Sequence, residues 1–575
     1  MSGPVAPKDP EKKRKGFYIM RSKEIAGSPI PDGSGTQFIY LDSGRMINSA
    51  RIIGNIENEE ILKLLTTTEG FRKLVYSIGV TIEADHTEQV VNFVMQMYGR
   101  KDVYGSGTQL TMPVKADGME YRIKLCECDW SDDDHIPGQI RFEFGKAEEL
   151  AKVSVKFYVN DGFEVPDEIE EVPVDLTSPI YSELLKKSLV QCGNNARLKK
   201  AFLKAKNGED MTIAFIGGSI TQGAGAIPIN TQCYAYKTFI GLCKMAGKGT
   251  EESIHYVKAG VGGTPSELGM LRYDRDVLCE GTVKPDIVVV EFAVNDEGDE
   301  TKGECYDSLV RRILSAENKP AVVLLFAVFS DDYNLQERLS VVGEAYDLPM
   351  VSTRDTVVEQ FYKKPGEGRI VSKSQFFYDC FHPTNIGHTI MADGILHLFQ
   401  VALEKPADED HLQIEKIPAP KGGEFTHVKM FDKKILKEQS VACVHSLQCG
   451  SFKACDTELQ GVERNLDLKH TMQFPYNWMH QGGEGKGNEP FCMDIECSAL
   501  LIIYKDSAAN QVGCAEVLVD GEKVLTIDPH LIGWTHCNPL ICFRGREKKN
   551  YHVEVRMKSG DEEKDFTILG WGYID

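Results

Sequence analysis

Between residues 176 and 405 the chain alternates two textures that only one kind of sheet accommodates. Short, continuously apolar runs ("MTIAFIG", "IHYVKAG", "DIVVVEFAV", "AVVLLFAVF", "PMVS") are separated by segments of helical periodicity such as "ARLKKAFLKAKNG", "YDSLVRRILSAEN" and "NIGHTIMADGILHLFQVAL". A strand with one wet face alternates apolar and polar residues. These runs do not, so both faces are buried, and the helical segments supply the crossovers that parallel pairing requires. The expectation is a parallel sheet with helices on each side.

The flanks read differently. Residues 17–175 carry short β-type runs ("QVVNFVMQMYG", "TQLTMPV", "EYRIKLCECDW", "QIRFEFG", "KVSVKFYVN") separated by Gly, Asp and Pro turns, with one helix expected over "IENEEILKLLTTTEGFRKLVYSIG". Strands at this spacing suggest a β-sandwich. The acidic, proline-bearing "DGFEVPDEIEEVPVDLTSP" reads as a linker into the 176–405 domain, and "EKPADEDHLQIEKIPAPKGG" as a second boundary. Residues 420–575 return to β texture, and "VLVDGEKVL" predicts a hairpin turning at Asp-Gly. This last region is expected to be a second sandwich.

A net charge of −21 argues against nucleic acid and anionic membranes as partners, because phosphate binding needs a basic face. No run approaches the ~20 uninterrupted apolar residues of a membrane span, and the basic opening "MSGPVAPKDPEKKRKGFYIM" has no apolar core of a secretory signal. The sixteen cysteines show no zinc-ribbon or redox spacing and read as reduced thiols. A cytoplasmic protein with no metal and no cofactor is expected; its oligomeric state is left open.

In an open parallel sheet, ligands meet the carboxyl ends of the strands. "GGSITQGAGA" follows the first strand of the sheet. It lacks the Lys-Ser or Lys-Thr of a phosphate loop and the GxGxxG of a dinucleotide site. What fits is Ser219 on a tight bend as a nucleophile, which needs a base and an orienting acid. "FFYDCFHPTNIGH" offers Asp379 and His382, three apart in one loop, so that the carboxylate can hold the imidazole while its other nitrogen faces the serine. His388 nearby reads as a helix residue. Donors for an oxyanion are available at the ends of the next two strands: the Gly263 N–H in "AGVGGT" and the Asn295 amide in "AVND".

Together these four blocks resemble the SGNH, or GDSL-type, hydrolases over roughly residues 195–400. The resemblance implies a three-layer α/β/α sheet of flavodoxin-like order and acyl transfer to Ser219. His382 would be the base, Asp379 its orienter, and Ser219 N–H, Gly263 N–H and Asn295 the oxyanion hole. The Asp usual before the serine is Gly218 here, a departure shared by members acting on carbohydrates.

The three-part layout is similar to bacterial O-acetyl esterases of gut Firmicutes that act on hemicellulose oligosaccharides, the mannan acetyl-esterase group being the nearest likeness, and the resemblance implies that the 420–575 sandwich is carbohydrate-binding-module-like. An acetylated oligosaccharide is thus the expected substrate. Acetyl xylan esterase, a lipase or thioesterase, and a non-catalytic glycan-binding protein are the alternatives. Trp130, Trp478 and Trp534, in polar loop-like contexts, are candidate sugar platforms, whereas Trp571 reads as packed.

Overall fold

The computed structural model describes residues 14–30, 33–42, 45–246, 253–439, 441–467, 469–483 and 485–575. Most of the basic opening segment, residues 1–13, lies outside the described residues.

At the centre is a six-stranded sheet. Five strands are parallel: Met211–Gly217, Ile254–Gly260, Ile287–Glu291, Ala321–Phe326 and Met350–Ser352. Numbered in chain order, they lie as 2-1-3-4-5, the flavodoxin-like arrangement, with the serine strand second from one edge. Nearly every residue of Ile287–Glu291 and Ala321–Phe326 is buried, as expected for strands covered on both faces. One element was not expected. The three-residue strand Leu189–Gln191 adds to the far edge antiparallel to Met350–Ser352, too short to show a periodic pattern.

Residues 16–159 fold as two antiparallel sheets of four and five strands. The single helix expected here is in fact two, Glu59–Leu64 and Thr68–Leu74, and the chain enters a strand at Val75. Asn58 caps the first helix, and Thr67 breaks the run by accepting the Gly70 N–H with its hydroxyl. The apolar core between the sheets is continuous with the central-sheet region: the cluster that contains Phe17, Phe71 and Phe157 also contains Val371, Phe376, Phe377 and Tyr378.

The C-terminal region likewise has two five-stranded antiparallel sheets. Asp520 and Gly521, both at positive φ, make the turn between Ala515–Val519 and Glu522–Ile527. This region packs on the helices Ser266–Asp276 and Glu304–Leu314 through a core shared with them. It also sends the small hairpin of Gly461–Glu463 and His470–Met472 toward the carboxyl edge of the central sheet.

One helix, Asn385–Glu404, is long and apolar enough to cross a membrane by length and composition. In this fold its buried side packs against the central sheet through Met391, Ile395, Leu398 and Phe399.

Candidate active site

The strand Met211–Gly217 ends in Gly218, and the helical turn Ser219–Gln222 begins at once. Ser219 therefore stands at a helix start, where its N–H has no acceptor within the helix. A Cβ at Gly218 would lie 2.1 Å from Asn295 Oδ1, so a side chain here would displace the Asn295 amide. The residue that differs from the GDSL name is thus the one on which Asn295 rests. Ser219 and Asn295 are half-buried, open enough for substrate to reach.

His382 Nε2 is 2.9 Å from Ser219 Oγ, and its Nδ1 is 2.8 Å from Asp379 Oδ2. The other Asp379 oxygen accepts the N–H groups of Phe381 and His382, each at 2.8 Å. Burial alone would raise the Asp379 pKa. The charge and hydrogen bond of His382, with those two backbone donors, hold it well below the usual carboxylate range. An ionised Asp379 fixes Nδ1 as the protonated nitrogen and leaves Nε2 to take the serine proton. His388 is buried in the last helix, accepts the Tyr234 N–H and bonds the Ala224 carbonyl; burial pulls its pKa down to about 3, so it stays neutral.

Gly263 sits at φ +71°, and a Cβ there would meet Trp534 Cζ2 at 2.8 Å and His536 Nε2 at 3.0 Å. The turn is braced by Gln222 Oε1, which accepts the Gly262 N–H at 3.0 Å, and by Gln460 Nε2, which donates to the Gly262 carbonyl at 2.9 Å. Gln222 also donates to Glu463 at 2.8 Å. The C-terminal region therefore packs against the Gly262–Gly263 turn and the serine helix through Gln460, Glu463, Trp534 and His536.

The three tryptophans separate. Trp534, 43% exposed, stands beside Gly263 with its ring 4.7 Å from that of His536. Trp130 is half-buried on the N-terminal sandwich, donates to the Leu125 carbonyl and lies under Arg72. The reading of Trp478 as a loop platform is corrected: it is 1% exposed and begins the strand Trp478–His480, which pairs with Phe566–Ile574. Its polar neighbours in sequence concealed a strand whose apolar residue points into the core against Phe491.

Glu291 was missed. At the end of its strand it is fully buried beneath the serine turn, with one oxygen 3.0 Å from Thr221 Oγ1 and the other without a partner among the described residues. Burial pushes its carboxyl up to about 7, against the opposing pull of hydrogen bonds from the Thr221 hydroxyl and the Gly218 backbone. An acid inside the apolar run "DIVVVEFAV" was a signal available in the sequence, because a buried carboxyl needs a partner or a proton.

A parallel sheet of this order, with serine, histidine and aspartate in hydrogen-bond series at its carboxyl edge, is the arrangement of a serine hydrolase, and the similarities that follow make it a carboxylic ester hydrolase. Residues 215–390 match the model of the GDSL-like lipase/acylhydrolase family. The chain is similar, at 25% identity and a TM-score of 0.56, to a two-domain esterase (CEX) active on acetylated mannans; the match covers 68% of this chain and 99% of that one. The same esterase co-crystallized with mannopentaose matches with a TM-score of 0.55, 25% identity and coverage of 68% and 98%. An acetyl xylan esterase from Geobacillus stearothermophilus matches at 19% identity over 33% of this chain and 96% of its own, with a TM-score of 0.25. No curated protein sequence gives a significant match.

Proposed function

We propose that this enzyme removes O-acetyl groups from hemicellulose oligosaccharides, β-manno-oligosaccharides first among them, through an acetyl-serine intermediate. The observation that carries the reading is the series Ser219–His382–Asp379, with links of 2.9 and 2.8 Å, beside Gly263 and Asn295. His382 takes the Ser219 proton as Oγ bonds to the acetyl carbon. Negative charge then collects on the carbonyl oxygen, where the Ser219 and Gly263 N–H groups and the Asn295 amide receive it. Collapse of the adduct breaks the ester C–O bond, and His382 returns the proton to the departing sugar hydroxyl. Water, deprotonated by the same imidazole, attacks the acetyl-enzyme and releases acetate and free Ser219.

The surroundings favour a small acyl group on a polar alcohol. Gln222, Gln460, Glu463 and His536 crowd the Gly263 turn with polar groups beside the exposed indole of Trp534, whereas a long acyl chain needs an extended apolar cleft. Trp534 is suited to stack on a sugar ring. The similar two-domain esterase acts on acetylated mannans, which supports mannan ahead of xylan. A cytoplasmic place of action, meeting imported oligosaccharides, accords with sixteen free thiols.

Mass spectrometry of acetylated manno- and xylo-oligosaccharides before and after treatment tests the proposal. The expected result is loss of acetyl groups from the manno series first, with 4-nitrophenyl acetate turned over by wild type and not by Ser219→Ala. Equal turnover by the two proteins would end the serine-esterase reading; preference for octanoyl over acetyl esters would move it to lipids.

A further inference from the structure

The loop that carries Asp379 and His382 is held from outside the hydrolase region. Lys23 belongs to the strand Gly16–Ala26 of the N-terminal sandwich, yet its ammonium is 2% exposed and donates to the carbonyls of Ser374 at 2.5 Å and Phe377 at 2.6 Å. The Phe377 carbonyl shares its peptide plane with the Tyr378 N–H, which closes the loop by donating to the His382 carbonyl at 2.7 Å. Fixing one end of that plane fixes the other.

Lys23 has company. The Tyr40 hydroxyl lies 3.3 Å from the Tyr378 carbonyl, and the two rings meet edge to face at 5.6 Å. Asn48 donates to Cys380 Sγ, and Arg45 stands 3.8 Å from the Asp379 oxygen that holds His382. From the connecting segment, Glu171 accepts the hydroxyls of Ser372 and Ser374 at 2.8 and 2.7 Å.

A buried ammonium is expensive, and apolar residues of similar volume would pack the same space at lower cost. Burial drags the Lys23 pKa down to about 7, with the Asp379 and Glu171 carboxylates opposing the fall. The charge is nevertheless placed on two carbonyls of the catalytic loop.

We propose that Lys23 is a positioning residue for ester hydrolysis, through which the N-terminal sandwich sets the Asp379–His382 loop against Ser219. This rests on the serine-esterase reading above. The sandwich is then a part of the catalytic apparatus and more than an appended module. Lys23 touches no reacting atom. It acts by holding the imidazole at its working distance, where displacements on the order of 1 Å can cost about 100-fold in rate.

The experiment uses the full chain and 4-nitrophenyl acetate, with Lys23→Met, Asp379→Asn and the double variant, each checked by thermal melting. Lys23→Met is expected to lower kcat about tenfold with KM within about twofold, and to lower it less than about twofold in the Asp379→Asn background, because residues acting as one unit are non-additive. An unchanged kcat in Lys23→Met, or the same fold-loss in both backgrounds, would overturn the proposal. Should Lys23→Met not fold, Tyr40→Phe, which removes only a hydroxyl from the same loop, carries the same cycle with the same criterion and a smaller expected loss of about threefold. If Ser219→Ala turns over as fast as wild type, the esterase reading has failed instead. If Ser219→Ala is dead and Lys23→Met is fully active, only the positioning role has.

Discussion

Replacing Glu291 with glutamine should make the protein more stable in mild alkali, by an amount that depends on pH in a calculable way. The carboxyl titrates near 4.5 when unperturbed and at about 7 in its buried place under the serine turn. Between those values the folded state holds the proton and the unfolded state has lost it. The stability linked to this group is therefore complete below pH 4.5 and is lost as the pH rises through 7.

At 1.36 kcal/mol per pKa unit, integration between pH 5 and pH 8 gives a loss on the order of 2–3 kcal/mol from this one group. Glutamine has the same shape, keeps an acceptor for Thr221 and the Gly218 backbone, and cannot ionise; it mimics the protonated acid at every pH. For a domain of 150–250 residues 1 kcal/mol moves Tm by roughly 2–4 °C, so the gap in Tm between Glu291→Gln and wild type should widen by on the order of 5–10 °C between pH 5 and pH 8. Differential scanning calorimetry at matched ionic strength reads this directly, and the buried acids that do not couple to Glu291 cancel in the difference, the nearby Asp296 being the one that feels its charge. A gap that stays constant over that range would refute the reasoning, since it would mean that Glu291 carries no displaced proton.

Three further outcomes are expected. Asp379→Asn should leave the fold intact and lower kcat by on the order of 10⁴, because the amide no longer selects the protonated Nδ1 of His382; steady-state kinetics on acetyl esters checks it. Gly263→Ala should lower kcat by about 10²–10³, through displacement of an oxyanion donor at φ +71° and contact with Trp534 at 2.8 Å, with Ser219 still reactive toward a phosphonofluoridate probe. Asp456→Ala leaves the buried Lys505 ammonium, now 2.6 Å from that carboxylate, without its anion, and should cost about 3–5 kcal/mol in urea unfolding of the C-terminal region while activity in the folded protein persists.

The central sheet was legible because burial on both faces writes itself into a sequence as unbroken apolar runs, most plainly in Ile287–Glu291 and Ala321–Phe326, while the edge strand Ile254–Gly260, with His255 exposed, carries the pattern only in its second half. Ser219, Asp379 and His382 could be picked out because glycine-rich bends and a three-residue spacing are local signals. The parts that escaped are contacts between residues far apart in the chain. Nothing in "MRSKEIAG" distinguishes Lys23 from a solvated surface lysine; its partners lie about 350 residues away. Trp478 and Trp534 have equally polar neighbours, yet strand pairing takes the first into the core and docking brings the second to Gly263. Local composition carries no record of that choice.

The apolar cluster running from Phe17 to Ile390 bears on how such a protein can be cut or inherited. Deleting the first 175 residues would leave a fragment of familiar domain plan with Phe376, Phe377 and Tyr378 bared to water. Such a surface invites aggregation and cannot serve as a clean module boundary. Genes that shuffle these sandwiches between hydrolases must exchange both sides of that seam together, and a bench truncation meant to isolate the minimal enzyme would have to redesign it first.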